Sequence, residues 1–261
     1  MSTPTPLGLP TAAYARPVAD ALARAAGIQT HIDVPARLAV GLRERSLRGA
    51  LLTPIDYARE SSSYLVIPGA VVASHGPAGP VTLRFRHGLR TVSSIAVDPS
   101  SANEIVLARI VLAEEFGAFP SIVPTLDPVE ALRARADAAL IVGGSPEAHP
   151  GDQLDLVEAW AEMTGLPFCY GLWCRSRGQI TQPEIEAIRG AHQEAQERAG
   201  ERGSPFQYLT TDETGEGLRA FLHYAYYHGV LPDVPDVDTR DADDEDVEDD
   251  EEDAAPEPSA N

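Results

Sequence analysis

SIAVDPSSANEIVLARIVLAEEFG, residues 94–117, passes from strand to helix within one short turn. Ser94 to Asp98 is a brief apolar run of the kind a buried strand leaves. Ser101, followed three residues later by Glu104, matches a capping box, in which each side chain satisfies a free amide at the start of a helix. The spacing predicts a helix over Ala102–Phe116 with Gly117 as its stop. A buried strand feeding directly into a helix is the repeating unit of α/β architecture.

The same alternation continues in both directions. Towards the N-terminus, Val18–Ala26 reads as a helix after Pro17 and ends at Gly27. Ala36–Arg45 reads as a second helix and Ala50–Thr53 as a short buried strand. Tyr64–Ser74 is β-rich, with a break expected at Pro68-Gly69. Pro80–Phe85 alternates so that Val81, Leu83 and Phe85 share a face. Towards the C-terminus come a helix over Asp127–Arg135, a strand over Asp137–Val142 closed by Gly143-Gly144, a helix over Asp155–Met163 and a strand over Pro167–Trp173. Helices over Gln182–Gly200 and Glu213–Gly229 complete the pattern. It predicts an α/β fold with largely parallel sheets, and no 20–50-residue repeat is present.

Composition narrows the function. Of 261 residues, 43% are hydrophobic and 23% charged, values ordinary for a globular chain and unlike wholesale disorder, collagen or a disulfide scaffold. The formal net charge of -20 argues against a nucleic-acid partner. Most of it is local: residues 233–261 carry 15 Asp and Glu against Arg240 alone, whereas residues 1–232 carry 25 acids against 19 Arg. The chain has no Lys. From Pro232 onward it is acidic, Pro-rich and nearly free of large apolar residues, so residues 233–261 are expected to be a disordered tail. The two cysteines, Cys169 and Cys174, have neither zinc nor redox spacing and read as reduced, buried thiols. No basic and apolar leader opens the chain, and no apolar run nears the roughly 20 residues of a membrane helix. A cytoplasmic protein with no membrane contact and no metal is expected.

Three places could carry chemistry. Ser101 stands where a helix N-terminus would hold an anion, although it equally reads as a plain cap, and Glu104 would set a negative charge beside such an anion. Gly143-Gly144-Ser145 follows a buried strand, where ligands collect in α/β sheets; a tight turn explains it as well, and no Gly-Lys-Ser/Thr makes it a P-loop. Ser74-His75-Gly76-Pro77 also follows a strand, but neighbouring strand side chains point opposite ways, which favours a turn. His223 and His228 are five apart, the wrong spacing for one helix face.

The order of segments carries a resemblance. Leu7-Gly8, Arg16-Pro17, Ala50-Leu51-Leu52 with Ile55-Asp56-Tyr57, Tyr64–Pro68, Ser74-His75-Gly76-Pro77, Ala96-Val97-Asp98 with Ser100-Ser101, Asp137–Gly143, and Trp160-x-x-x-Thr164-Gly165-Leu166-Pro167-Phe168 running to Trp173 follow one another. Gly217-Leu218-x-x-Phe221 and Gly229-Val230 close the series. The chain resembles the chorismate dehydratases of the futalosine route to menaquinone over about residues 7–232.

The resemblance implies a periplasmic-binding-protein-like fold of type II, two α/β lobes around a cleft. The expected lobes are residues 1–90 with 175–232, and 91–174. It implies loss of water from chorismate to give 3-[(1-carboxyvinyl)oxy]benzoate without a cofactor, with this small molecule as the partner; nothing in the chain specifies an oligomeric state. It also implies site residues. Tyr14 falls where the family has an Asn near the leaving hydroxyl. Ser101 would bind a carboxylate, Asn103 would be another donor, and Arg16 would supply charge. Ser74, Gly143 and Gly144 would complete the binding site. Because the chain lacks Lys, Arg is expected to offset the two ligand carboxylates. Pro80, Asn103-Glu104 and Gly144 replace polar or uncharged family residues. An alternative is a small-carboxylate-binding protein that kept the clamshell without the dehydration. The sister naphthoate-forming enzyme is disfavoured, because its N-terminal Ser-Pro-Cys-Pro-Asn-Asp-type motif is missing.

Overall fold

The computed structural model describes residues 5–77, 81–89, 92–143, 152–176 and 179–237. The chain begins with β1 (Leu7–Pro10), α1 (Arg16–Leu22), β2 (Thr30–Asp33), α2 (Pro35–Arg43) and β3 (Gly49–Leu52). β2 and β3 pair in parallel on opposite sides of β1. Right-handed crossovers in opposite directions put α1 and α2 on opposite faces. A short α3 (Pro54–Ala58), capped by the Thr53 hydroxyl, then leads into β4 (Tyr64–Ser74).

β4 carries the chain towards a second sheet. This contains β5 (Val81–Phe85), β6 (Ser94–Val97), β7 (Ser121–Pro124), β8 (Ala138–Val142) and β9 (Gln153–Asp155), in the order β7-β6-β8-β5-β9. Its helices are α4 (Ala102–Phe116), α5 (Pro128–Ala134) and α6 (Leu156–Thr164). The chain returns through β10 (Phe168–Ser176) to α7 (Gln182–Glu201), β11 (Phe206–Leu209) and α8 (Asp212–Tyr227), completing a first sheet ordered β11-β4-β10-β3-β1-β2. No helix among the described residues is long and apolar enough to cross a membrane.

Several sequence expectations change. The sheets are mixed rather than largely parallel. β10 is antiparallel to both β3 and β4, β11 is antiparallel to β4, and β5 is antiparallel to both β8 and β9. These strands lie at or next to the two crossings between sheets, where the chain must reverse. Sheet membership also moves the expected boundaries. β5, placed in the first lobe by a boundary at residue 90, pairs with β8, and Phe168–Cys174, placed in the second, pairs with β3 and β4. Pro68-Gly69 does not break β4; the strand runs through, and its register on β10 shifts there, with Gly69 at φ 82°. β5 is buried on both faces rather than one. Finally, residues 233–237 belong to the body: Val237 is 4% exposed within the core, and the Tyr57 hydroxyl donates to the Asp236 carbonyl at 3.2 Å.

The join between the sheets is aromatic. Trp160 of α6 meets Phe168 of β10 and Phe221 of α8 edge-on, with ring centroids 6.4 and 5.9 Å away, and Phe168 and Phe221 stand 5.3 Å apart. Thr164 and Gly165 end α6: the Thr164 hydroxyl donates to the Trp160 carbonyl and accepts from the Leu166 amide, and Gly165 takes φ 71°. His75, just past β4, lies 3.1 Å from the Gly165 carbonyl through Nε2. The Ser74-His75 pair thus braces one crossing against the other.

Candidate functional site

A cavity of about 590 Å³ opens between the two sheets. The ends of the parallel strands β1, β2, β6 and β8 deliver most of its wall, as expected for a ligand site in α/β sheets. Thr11–Tyr14 follow β1 and Val34-Pro35 follow β2. Asp98, Ser100, Ser101 and Glu104 follow β6, and Leu140–Gly143 close β8. Tyr170 and Phe206 form the floor on the first-sheet side.

Tyr14 sits in the 3-10 turn Ala13–Ala15. Its ring tilts against Tyr170 at 5.1 Å and Phe206 at 6.5 Å, and the Tyr208 hydroxyl donates to its carbonyl at 3.0 Å. Burial, reinforced by the nearby Glu104 carboxyl, pushes the Tyr14 phenol well above its ordinary range. It therefore stays protonated and acts as a hydrogen-bonding hydroxyl rather than a phenolate. Ser74 does not line the cavity. Its hydroxyl donates to the Gly76 carbonyl at 2.9 Å and so is left to accept from the Tyr170 hydroxyl at 3.2 Å. Ser74 therefore positions Tyr170, which does line it.

The expected capping box at α4 is not formed. Ser101 has φ -95° and ψ 47°, away from the extended conformation typical of a cap, and its hydroxyl makes no capping bond. Its amide is taken by the Asp98 carbonyl at 3.1 Å, so Glu104 has no target there. Asp98 Oδ1 instead accepts from the Ser100 amide and hydroxyl at 2.9 and 2.8 Å. The Ser101 hydroxyl, unspent on its helix, and the start of α4 face the cavity. Glu104 lines it too, although only 6% exposed. Burial first, and then the Asp56 carboxyl, push its pKa up to about 7 against the pull of its own amide.

Two other expected residues stand elsewhere. Asn103 is fully buried and does not line the cavity; both polar atoms of its amide lack a partner. Arg16 opens α1 and points to a separate surface groove with Asp20, Arg198 and Arg202, because Tyr14, two residues earlier, takes the cleft-facing side of the turn. Gly143 lines the cavity at φ 82°; Gly144 and Pro80 lie outside the described residues. Among the described residues no Arg lines the cleft, whose charged side chains are Asp98 and Glu104. Among the described residues the expectation that Arg faces the ligand carboxylates is not met: the donors there are hydroxyls and the opening amides of α4. No cluster of His, Cys, Asp or Glu among the described residues is arranged to hold a metal.

Residues 7–206 match the family described as menaquinone biosynthesis. The chain belongs to that family. A member from Thermus thermophilus named chorismate dehydratase is 28% identical, over 73% of this chain and 77% of its own. Among solved structures, a protein from Archaeoglobus fulgidus has a TM-score of 0.63 at 18% identity, covering 86% of this chain and 97% of its own. The periplasmic aliphatic sulphonate-binding protein SsuA from Escherichia coli has a TM-score of 0.62 at 12% identity, covering 90% and 95%. At these identities the structures speak for the fold alone, which is periplasmic-binding-protein-like. Within this family member, sequence reasoning missed Tyr170 as a cleft residue, because it is hidden in a buried strand. It did set Glu104 beside the anion site, but gave it no role there beyond an unfavourable charge or a capping-box partner.

Proposed function

We propose that the chain is a chorismate dehydratase of menaquinone biosynthesis, eliminating water from chorismate to give 3-[(1-carboxyvinyl)oxy]benzoate. The observation that carries this reading is the cleft itself, in a chain of this family: a cavity of about 590 Å³, within the size range of small-molecule sites, with aromatic walls and a few convergent hydroxyls. In this reading the ring lies against Tyr14, Tyr170 and Phe206. One carboxylate rests on the Ser101 hydroxyl and the first amides of α4, where the helix dipole favours an anion. The Tyr14 hydroxyl donates near the departing hydroxyl. The product is aromatic, so the driving force is internal to the substrate, and positioning with preorganised dipoles supplies the rest.

The experiment is to incubate the purified protein with chorismate and look for the carboxyvinyloxy-benzoate, alongside calorimetric titration. Product formation supports the reading. Absence of binding refutes it. Tight binding with no product selects the alternative, a binding protein for small carboxylates on the same clamshell.

A further inference from the structure

Glu104 is a carboxyl in an unusual position. It lines the cleft from the first turn of α4 yet is more than nine-tenths buried, and no described cation pairs with it. The groups facing it are Asp56 from α3, Tyr14 from the turn after β1 and Tyr170 from β10. The other elements packed on α4, namely α6, α8 and β8, bring no charge to bear on it. A buried carboxyl without a counter-charge is costly to keep ionised, and nothing in the packing of α4 requires one there. The other cleft carboxyl, Asp98, is occupied by Ser100, and Tyr14 is held as a phenol.

We propose that Glu104 carries the protons of the elimination, giving one to the departing hydroxyl and taking the ring hydrogen from the adjacent carbon. This rests on the dehydratase reading above. The hydroxyl and the enolpyruvyl ether of chorismate are trans on the ring, so the hydrogen on the ether-bearing carbon shares a face with the hydroxyl. One carboxyl can therefore reach both. The C–O bond breaks with its electron pair going to oxygen, which takes the Glu104 proton and leaves as water. The C–H electron pair becomes the new ring π bond, and the freed proton returns to the Glu104 carboxylate. Atoms and charge balance, and the acid is regenerated without a co-reactant. A group near half-protonation at neutral pH suits both halves of this exchange, as the upward shift of Glu104 to about 7 provides.

The test compares wild type, Glu104→Gln and Glu104→Asp with chorismate. Glu104→Gln keeps the shape but can neither give up nor take back a proton at neutral pH; it should lower kcat by about 100-fold or more and leave chorismate affinity within about threefold. Glu104→Asp keeps the acid one methylene short and should retain intermediate turnover. Wild-type kcat/KM should fall about tenfold per pH unit above about 7 as Glu104 loses its proton, a profile that a purely structural residue would not produce. Glu104→Gln turning over at the wild-type rate with the wild-type pH profile overturns this inference and leaves the dehydratase reading standing. A wild type that makes no product brings down both.

Discussion

Two buried groups give the stability of this protein opposing pH dependences. His192 accepts from the Trp173 indole at Nε2, 2.7 Å away, and so donates through Nδ1 to the Tyr208 carbonyl, also at 2.7 Å. Only the neutral ring can do both, and burial lowers its pKa to about 4. Because the unfolded ring would bind a proton first, this contribution is complete above the unfolded value and is lost as pH falls towards 4, amounting to about 3 kcal/mol. Glu104 runs the other way. Its folded pKa is raised, so its contribution is complete below the unfolded value of about 4.5 and is lost as pH rises through about 7. Glu104→Gln should therefore be more stable than wild type at pH 8, by up to about 3 kcal/mol, and nearly equal to it at pH 4.5, as read from urea midpoints. Tyr14→Phe belongs at this scale too. In the proposed reaction the phenol donates near the leaving hydroxyl, so its loss should lower turnover more than chorismate affinity; equal turnover would remove Tyr14 from the mechanism.

At the scale of elements, Ser101 separates two roles that one residue often combines. Its hydroxyl makes no bond to α4, so Ser101→Ala should leave the melting temperature within about 1 °C while weakening chorismate binding about tenfold, the loss of one charge-assisted hydrogen bond. Gly217 is different. A Cβ there would sit 2.2 Å from the Pro167 carbonyl oxygen, so α8 crosses the chain entering β10 where only a hydrogen fits. Gly217→Ala should cost about 1–3 kcal/mol, measured by denaturant titration. The Trp160–Phe168 motif was legible in the sequence because each of its residues answers a packing need at this junction. Two interior strands were legible for a related reason: Ile95–Val97 and Ala138–Leu140 are buried and leave apolar runs. Five strands escaped. β2, β7, β9 and β11 are the four sheet edges, three or four residues long, with polar or exposed positions that break any run; β1 is interior and fully buried, but its four residues include a Gly and a Pro that hide the apolar run. The site was legible where the backbone builds it, at Tyr14, Ser101 and Gly143. Glu104 was legible as a charge beside the anion site, and the reading failed where it depends on which way a side chain turns, as at Asn103 and Arg16.

Across the whole molecule, charge is divided unevenly. The body through residue 232 has a net charge of only -6, whereas residues 233–261 carry -14. The described chain ends by packing rather than by trailing off: Val237 is buried in the core and the Tyr57 hydroxyl holds the Asp236 carbonyl. Burying one Val side chain is worth about 1.5–3 kcal/mol, so a cut at residue 235 and a cut at residue 237 should differ sharply. Beyond Val237 the sequence offers almost nothing apolar to bury, and its like charges repel one another. Removing residues 238–261 should leave the melting temperature nearly unchanged at moderate salt, where charges beyond the Debye length of about 8–10 Å are screened. Removing residues 236–261 as well as the buried Val237 anchor they contain should lower it by several degrees. Thermal melts of the two truncations at moderate salt decide this: equal melting temperatures would show that Val237 contributes nothing, and a large loss in the shorter truncation would show that the acidic segment stabilises the body.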